Sequence, residues 1–239
     1  MMEKGNDMNK PIPVLIVPTL NGHDRVLTML KSIDYPVDQV IIIDNANVGW
    51  MYYGAIGIES RLPNMNLIGK IHTIHMPSNL GVAASWNLGI KATPMAPWWL
   101  IVNDDVTFPA NSLAKFANYV QSYGDIVIAN TVAPWSCFAI TDKVINIVGL
   151  FDEAFYPAYF EDTDYARRVR HYLGEDAIGS PDIKVNHANS STIADGYAEQ
   201  NHRTYQENYR TFEDKLSLNR YEPIGWSLAI RRMNDWGQP

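Results

Sequence analysis

The stretch "WWLIVNDDVTFP", residues 98–109, joins an apolar run to two adjacent carboxylates. Its first five residues are apolar and typical of a strand that is covered on both faces. Asn103, Asp104 and Asp105 then follow without a spacer. Two charges about 4 Å apart repel by roughly 4 kcal/mol at an effective dielectric constant near 20, so we expect a compensating cation nearby.

A divalent cation with oxygen ligands, Mg²⁺ or Mn²⁺, suits two carboxylates. Because successive side chains diverge on extended backbone, we expect only one of the two aspartates, Asp105, to contact the metal directly. In the alternative interpretation neither binds a metal, and one carboxylate caps a helix while the other faces water. A metal would also serve an acidic protein that binds a diphosphate, because the predicted phosphate-side turns have no basic residue nearer than Arg25.

Working outward from this stretch, apolar strand patterns alternate with helical periodicity, which predicts an α/β fold with a mostly parallel central sheet and helices on both faces. The predicted strands cover residues 13–20, 39–45, 98–104 and 125–130, with a weaker candidate at 71–77. The predicted helices cover 23–33, 82–92 and 111–123. After about residue 130 the pattern is irregular, with strand-containing pieces at 137–149 and 182–187, a helix at 162–173 and a further helical stretch at 196–216.

The overall composition sets the class of protein. The 239 residues include 46% hydrophobic residues and carry a net charge of −7, which argues against nucleic acid as a partner. Cys137 is the single cysteine, so no internal disulfide forms. The polar start and the lack of a 20-residue apolar run predict a soluble, cytoplasmic protein. The C-terminal "IGWSLAIRRMNDW" packs on the core, forms a subunit contact or touches a membrane surface, so a peripheral membrane location and the oligomeric state stay open.

The absence of a Pro/Gly/Ser-rich linker predicts one main domain. We expect a disordered N-terminal tail at residues 1–10, a single α/β domain at 11–192 and a C-terminal helical extension at 193–239 that packs on the domain.

Polar residues follow each of the first four predicted strands. In open parallel sheets, ligands bind outside the carboxyl ends of the strands, so these residues are predicted to line one pocket. Any one set would be ordinary loop polarity, whereas four sets together favour a binding site. The sets are Thr19, Asn21 and Gly22; Asp44 and Asn45; Asn79 and Gly81; and Asn103, Asp104 and Asp105.

Each motif also has a purely structural interpretation. Pro18 to Gly22, "PTLNG", allows a ligand to approach the backbone or forms an ordinary βα turn. Asp44 accepts hydrogen bonds from a base or a ribose, or caps the next segment. Small residues such as Gly81 and Ser85 at a helix start admit a nucleotide or let the helix pack closely on the sheet. The chain contains neither a G-x-G-x-x-G fingerprint nor a P-loop.

The segment "FDEAFYPAYFEDTDYARRVR", residues 151–170, places aromatic residues before three acids at a predicted helix start. Glu161, Asp162 and Asp164 exceed what capping requires, so one of them is a candidate general base for a sugar hydroxyl, with the aromatics stacking on a sugar face. His187 ends a predicted strand and either supplies an imidazole ligand to the metal or is structural. His72, His75, His171 and His202 are expected to be solvated or structural.

Together, "VPTLNG", "IIIDN", "NLGVAASWNLGI", "IVNDDV", "GLFDEAFYPAYFEDTDYARRV" and "VNHANSST" resemble family 2 glycosyltransferases of the GT-A fold, most of all rhamnosyltransferase-type members, over roughly residues 12–192. The resemblance implies inverting transfer of a sugar from a UDP-, GDP- or dTDP-linked donor to a hydroxyl of a glycan or glycoconjugate acceptor. It also implies a divalent cofactor, Mn²⁺ or Mg²⁺.

The resemblance assigns roles residue by residue. The D-x-D motif falls on residues 103–105, with Asn103 in place of the first aspartate and Asp105 as the metal ligand. The E-D motif falls on Glu161 and Asp162, and Asp162 is implied as the catalytic base with Glu161 as the neighbouring alternative. The remaining implied roles are nucleobase recognition for Asp44, the nucleotide-pocket turn for residues 19–22 and metal or diphosphate binding for His187.

Two other classes of function remain open from the sequence. Asn103 is consistent with a protein that binds a nucleotide-sugar or a glycan without catalysis. A nucleotidyltransferase on a similar sheet would release pyrophosphate instead of a nucleoside diphosphate.

Overall fold

The computed structural model describes residues 10–45, 57–123, 128–188, 198–222 and 224–225. The strands are β1 (Ile12–Thr19), β2 (Val37–Asp44), β3 (Ile68–His75), β4 (Trp98–Val102), β5 (Val106–Thr107), β6 (Ile128–Asn130), β7 (Cys137–Thr141), β8 (Ile178–Gly179) and β9 (Asn186–His187). The helices are α1 (His23–Lys31), α2 (Val82–Ala92), α3 (Ser112–Tyr123), α4 (Asp142–Val148), α5 (Glu161–Leu173) and α6 (Ala198–Ser217).

The central sheet has the strand order β3-β2-β1-β4-β7-β6-β8. Strands β3, β2, β1 and β4 pair in parallel, β7 is antiparallel to both of its neighbours, and β6 pairs in parallel with β8. The predicted α/β fold with a mostly parallel sheet is therefore confirmed.

Alternating residues of β1 belong to two separate hydrophobic clusters, one on each face of the sheet. Leu15 and Val17 join a cluster that includes residues of α1 and α3, whereas Val14 and Ile16 join one that includes residues of α2, α4 and α5. All five residues of β4 are buried, as expected for a strand covered on both faces. Helices therefore cover both faces of the sheet.

The order in which strands are added to the sheet reverses between β1 and β4, which are parallel neighbours. From β1 the chain proceeds outward through β2 and β3, and it then returns to place β4 on the other side of β1. In a doubly wound sheet this arrangement opens a crevice at the carboxyl ends of the strands. The register places Thr19 beside Asp44 and Asp44 beside His75, so the predicted polar residues do meet at one edge.

Several elements differ from the sequence interpretation. The segment 137–149 is a strand only as far as Thr141 and then continues as α4, because its last residues bury Val144, Ile145 and Val148 at helical spacing. The weaker strand candidate is the full eight-residue β3. The predicted strand piece at 182–187 contributes only the two residues of β9, which pair with β5 outside the main sheet.

The chain ends lie partly outside the described residues. This applies to residues 1–9 of the predicted tail and to most of "IGWSLAIRRMNDW", so the domain boundaries remain predictions. The predicted helix at 196–216 corresponds to α6. Within the described ranges, no helix combines the length and the apolarity that crossing a bilayer would need.

Candidate active site

A cavity of about 380 Å³ opens at the carboxyl ends of the parallel strands. The predicted site residues that line it are Pro18, Thr19, Asn45, Asn79, Gly81, Asn103, Asp104, Asp105, Glu161, Asp162 and His187. Asn21, Gly22, Asp44 and Ser85 are not part of its wall. The structure therefore gathers residues from both halves of the chain around one space.

Asp104 is held by protein groups. The Thr19 hydroxyl donates to Asp104 Oδ2 over 2.7 Å, and Arg25 Nε and Nη2 each lie 3.3 Å from a carboxylate oxygen. Burial raises the pKa of Asp104, while the Thr19 hydrogen bond and the Arg25 charge oppose that rise. Arg25 thus supplies positive charge that the sequence analysis had expected from a metal, and Asp104 neither caps a helix nor faces water.

Gly22 lets this cluster form. A Cβ at this position would lie 2.0 Å from Asp104 Oδ2 and 2.7 Å from both Thr19 Oγ1 and Arg25 Nη2. The absence of a side chain therefore allows the first turn of α1 to approach the end of β4.

Asp105 has a different partner from Asp104 and pairs with His187. Their nearest atoms, Asp105 Oδ1 and His187 Nε2, are 3.2 Å apart. The antiparallel β5–β9 ribbon, in which Val106 pairs with His187, creates this proximity across about 80 residues of sequence. The two adjacent aspartates therefore have separate partners, Thr19 and Arg25 for Asp104 and His187 for Asp105.

These two side chains suit a divalent cation as part of its ligand set. A carboxylate oxygen is a ligand that Mg²⁺ and Mn²⁺ prefer, and the neutral imidazole of histidine is a common ligand for metal ions in general. Among the described residues, no group of three or more His, Cys, Asp or Glu is arranged to hold a metal alone. Asp105 and His187 would therefore bind a cation only together with oxygens from a ligand or water.

Asp44 lies behind the cavity wall. It is fully buried, with Oδ2 2.9 Å from His75 Nδ1 and Oδ1 3.4 Å from His23 Nε2. The sequence left Asp44 open between contact with a ligand and capping, and His75 was expected to be solvated or structural; its contact with the Asp44 carboxylate was not predicted. The signal for this arrangement lay in the parallel register, since His75 ends β3 directly beside the end of β2.

Ser85 has a structural role at the start of α2. Its hydroxyl donates to the Gly81 carbonyl over 2.6 Å and accepts from Asn45 Nδ2 over 3.0 Å. Asn45 Oδ1 in turn accepts the Leu80 N–H over 3.0 Å. This network fixes the turn that presents Asn79 and Gly81 to the cavity.

The two acids at the start of α5 occupy different environments. Glu161 is 6% exposed, and burial together with the neighbouring Asp162 charge raises its pKa to about 8. Glu161 Oε2 has no hydrogen-bond partner among the described residues. Asp162 is less buried, and its Oδ1 accepts from the Thr163 N–H over 2.6 Å and from the Thr163 hydroxyl over 3.2 Å.

Sequence reasoning missed the turn between β6 and β7. Pro134, Trp135 and Ser136 line the cavity, and the Ser136 carbonyl accepts the Asn103 N–H over 2.8 Å. A Pro-Trp pair in a loop was the available signal. Trp86 belongs to both the core and the wall, since it packs edge-on against Phe138 and also lines the cavity.

The fold and this arrangement of acids define a class of protein. The chain belongs to glycosyl transferase family 2, whose sequence model matches residues 14–172, and its fold is the GT-A fold of solved glycosyltransferases. The family and fold expected from the sequence are confirmed. No curated protein sequence matches the chain.

Solved structures with this fold include glucosyl-3-phosphoglycerate synthase from Mycobacterium tuberculosis in complex with Mn²⁺, UDP and phosphoglyceric acid. It is 14% identical with a TM-score of 0.58, and the match covers 78% of this chain and 74% of that one. S. aureus TarS is 14% identical with a TM-score of 0.53, and the match covers 72% of this chain and 35% of TarS. TarS 1–349 in complex with UDP matches with the same identity and TM-score over 58% of its length. The chain thus spans about a third of TarS, and at this identity the likeness establishes the fold alone.

Proposed function

We propose that the protein is an inverting, metal-assisted glycosyltransferase that moves a sugar from a nucleoside diphosphate donor to a hydroxyl of a glycan or glycoconjugate acceptor. The observation that carries the proposal is one cavity whose wall contains the Asp105–His187 pair and the Asp162 carboxylate. The first is suited to a charged leaving group and the second to removing a proton.

The donor nucleotide is assigned to the strand-end side of the cavity. Pro18, Thr19, Asn45, Asn79 and Gly81 form this wall. Their backbone and amide groups suit a base and a ribose. The bound UDP of two structural relatives makes UDP the first donor nucleotide to test, before GDP and dTDP.

Asp105 and His187 would hold the divalent cation, Mn²⁺ or Mg²⁺. The bound cation would neutralise the diphosphate leaving group by Lewis-acid chemistry. The Mn²⁺ in the structure of the mycobacterial synthase supports Mn²⁺ as the first ion to test. Asn103 offers an amide where the family motif has a carboxylate, so it contributes hydrogen bonds and no charge.

Asp162 is the proposed general base. It lines the cavity, and Thr163 orients its carboxylate through two hydrogen bonds to one oxygen. Asp162 accepts the proton of the acceptor hydroxyl as that oxygen bonds to the anomeric carbon and the bond to the diphosphate breaks. Attack from the face opposite the leaving group inverts the anomeric configuration.

Glu161 has a different role in this scheme. With a pKa of about 8 it is mostly protonated at neutral pH, so it is a poor proton acceptor there and would act as a hydrogen-bond donor to a bound ligand. The aromatic wall provided by Trp135 and Tyr159 suits the face of an acceptor or donor sugar.

Two measurements test the proposal. Thermal shift against UDP, GDP and dTDP, each with and without Mn²⁺, should show one preferred nucleotide whose effect increases with the metal. Donor panels with Mn²⁺ should then release the nucleoside diphosphate. Binding without release would instead favour the alternative suggested by Asn103, a nucleotide-sugar or glycan-binding protein without turnover.

A further inference from the structure

The loop that precedes the proposed base has an unusual backbone. Residues 156–160, here called the aromatic loop, end with Tyr159 at φ 80° and Phe160 at φ 72°, directly before Glu161. Residues with a side chain adopt such angles rarely and at a cost in free energy. Two consecutive residues of this kind persist only where surrounding contacts hold them.

One set of contacts comes from the start of α2. The Val82 N–H donates to the Pro157 carbonyl over 2.7 Å, and the Tyr156 hydroxyl donates to the Asn79 carbonyl over 3.2 Å. These bonds tie the first part of the loop to the donor side of the cavity. They do not involve Tyr159 or Phe160.

The second set comes from α6. Asn208, which is 4% exposed, donates through Nδ2 to the Ala158 carbonyl over 2.7 Å and to the Tyr159 carbonyl over 3.2 Å. One side-chain amide therefore bonds to two consecutive carbonyls at the part of the loop that contains the left-handed residues. Asn is a poor choice inside a helix on propensity alone, so its position there calls for a compensating contact of this kind.

Aromatic side chains of α6 hold the same place. The Phe160 ring lies 5.0 Å from the Tyr205 ring, 5.7 Å from the Tyr209 ring and 5.5 Å from the Phe212 ring, measured between centroids. Further along α6, Lys215 anchors the helix through ion pairs with Asp152 at 2.7 Å and Asp164 at 2.8 Å. The helix is thus fixed to the domain independently of its contact with the loop.

We propose that Asn208 is a positioning residue that holds the aromatic loop, and through it Asp162, in the geometry that transfer requires. The residue lies outside the segment matched by the family's sequence model, which ends at residue 172. The catalytic part of this inference rests on the function proposed above. The structural part, that Asn208 holds the loop, stands on the contacts alone.

Two substitutions separate the amide contact from packing. Asn208→Leu keeps the approximate volume and removes both hydrogen bonds, and Asn208→Asp keeps the shape but replaces the donating NH₂ by an oxygen that faces two carbonyls. Tyr209→Phe is the matched control, because it removes only the bond to Glu213 and keeps the ring against Phe160. Hydrogen exchange of residues 156–163, affinity for UDP and kcat for transfer are measured for each protein.

Both Asn208 variants should exchange faster in residues 156–163 than the wild type and the control. Their kcat should fall by about 10- to 100-fold, the scale of small misplacements of a catalytic group, while UDP affinity and the donor KM stay unchanged. Unchanged exchange in the loop, or unchanged kcat, overturns the proposal. Faster exchange throughout the chain together with weaker UDP binding also overturns it, because that outcome marks a general effect on stability.

The failure of the proposed function has a different signature. If the wild-type protein transferred no sugar from any donor, the proposed transfer reaction would be wrong, and with it the catalytic part of the inference about Asn208. The exchange experiment would still decide whether Asn208 holds the loop, because it needs no turnover.

Discussion

The two sides of the cavity are built in different ways. The donor side consists of strand ends and the turns that follow them, such as Thr19 after β1 and Asn45 after β2, and parallel pairing sets their positions. The proposed catalytic side is a loop that contains two left-handed residues, Tyr159 and Phe160, and that hydrogen bonds from α2 and α6 hold in place. On the proposed function, nucleotide binding depends on the sheet, whereas the chemical step depends on a few long-range contacts.

The largest expected effect tests whether turnover can be lost without any loss of nucleotide binding. Asp162→Asn removes the proposed base and should lower kcat by about 10²- to 10⁴-fold, the usual contribution of general base catalysis. UDP affinity should not change, because the nucleotide wall lies on the strand ends. Kinetics and calorimetry measure the two quantities. The control is Asp176→Asn, at an exposed position beyond α5. Normal turnover by Asp162→Asn would refute the assignment of Asp162 as the base.

The next effect tests the boundary between the two sides. Asp105→Asn and His187→Ala should each weaken Mn²⁺-dependent UDP binding by at least about 10- to 100-fold. Losses of metal affinity on this scale occur even when only a residue that hydrogen-bonds to a metal ligand is replaced. Binding without Mn²⁺ should change little, since the nucleotide wall is intact. Titration calorimetry with and without the ion measures the difference. Equal Mn²⁺ enhancement in the variants and the wild type would contradict the assignment of the pair.

A third prediction concerns the pH dependence of the catalytic side. Because Glu161 is proposed to act while protonated and its pKa is about 8, kcat should fall by about tenfold per pH unit above that value. Glu161→Gln keeps a hydrogen-bond donor and should remove this alkaline decline. A pH profile of kcat checks the result, and an identical decline in Glu161→Gln would show that another group is responsible.

The same carboxyl group links pH to stability. Its pKa in the folded protein, about 8, lies above its ordinary value of 4.5, so its contribution to stability is complete below pH 4.5 and is lost as pH rises towards 8. Thermal melts of Glu161→Gln should therefore show a gain over the wild type that grows across this range. A gap between the two proteins that stays constant with pH would contradict the raised pKa.

The smallest expected effect is on the donor side. Gly22→Ala places a methyl group against Asp104, Thr19 and Arg25, and overpacking of this kind costs about 1–3 kcal/mol of unfolding free energy. Urea denaturation measures the loss. In an Asp104→Ala background the same substitution should cost less, because its nearest contact is gone. An equal cost in both backgrounds would show that the contact with Asp104 is not the cause.

Much of the donor side could be predicted from the sequence because its rules are local. Continuous apolar strands indicate a covered parallel sheet, and such a sheet brings strand ends such as Thr19, Asn45 and Asn103 to one edge. That logic also brings Asp44 to this edge, but residue type alone could not show that the imidazoles of His23 and His75 approach its carboxylate. Arg25 was likewise recognised as the nearest basic residue but not as the partner of Asp104.

By itself, the sequence determined the class of fold, the edge of the sheet that carries the cavity and the acids available for chemistry, because periodicity and strand-end polarity are properties of neighbouring residues. The tertiary structure alone decided which charges meet. The pairing of Asp105 with His187 and of Asn208 with the aromatic loop joins segments about 80 and 50 residues apart, and no local pattern encodes such contacts. The raised pKa of Glu161 has the same origin, since it results from burial beneath elements that come together only in the folded chain.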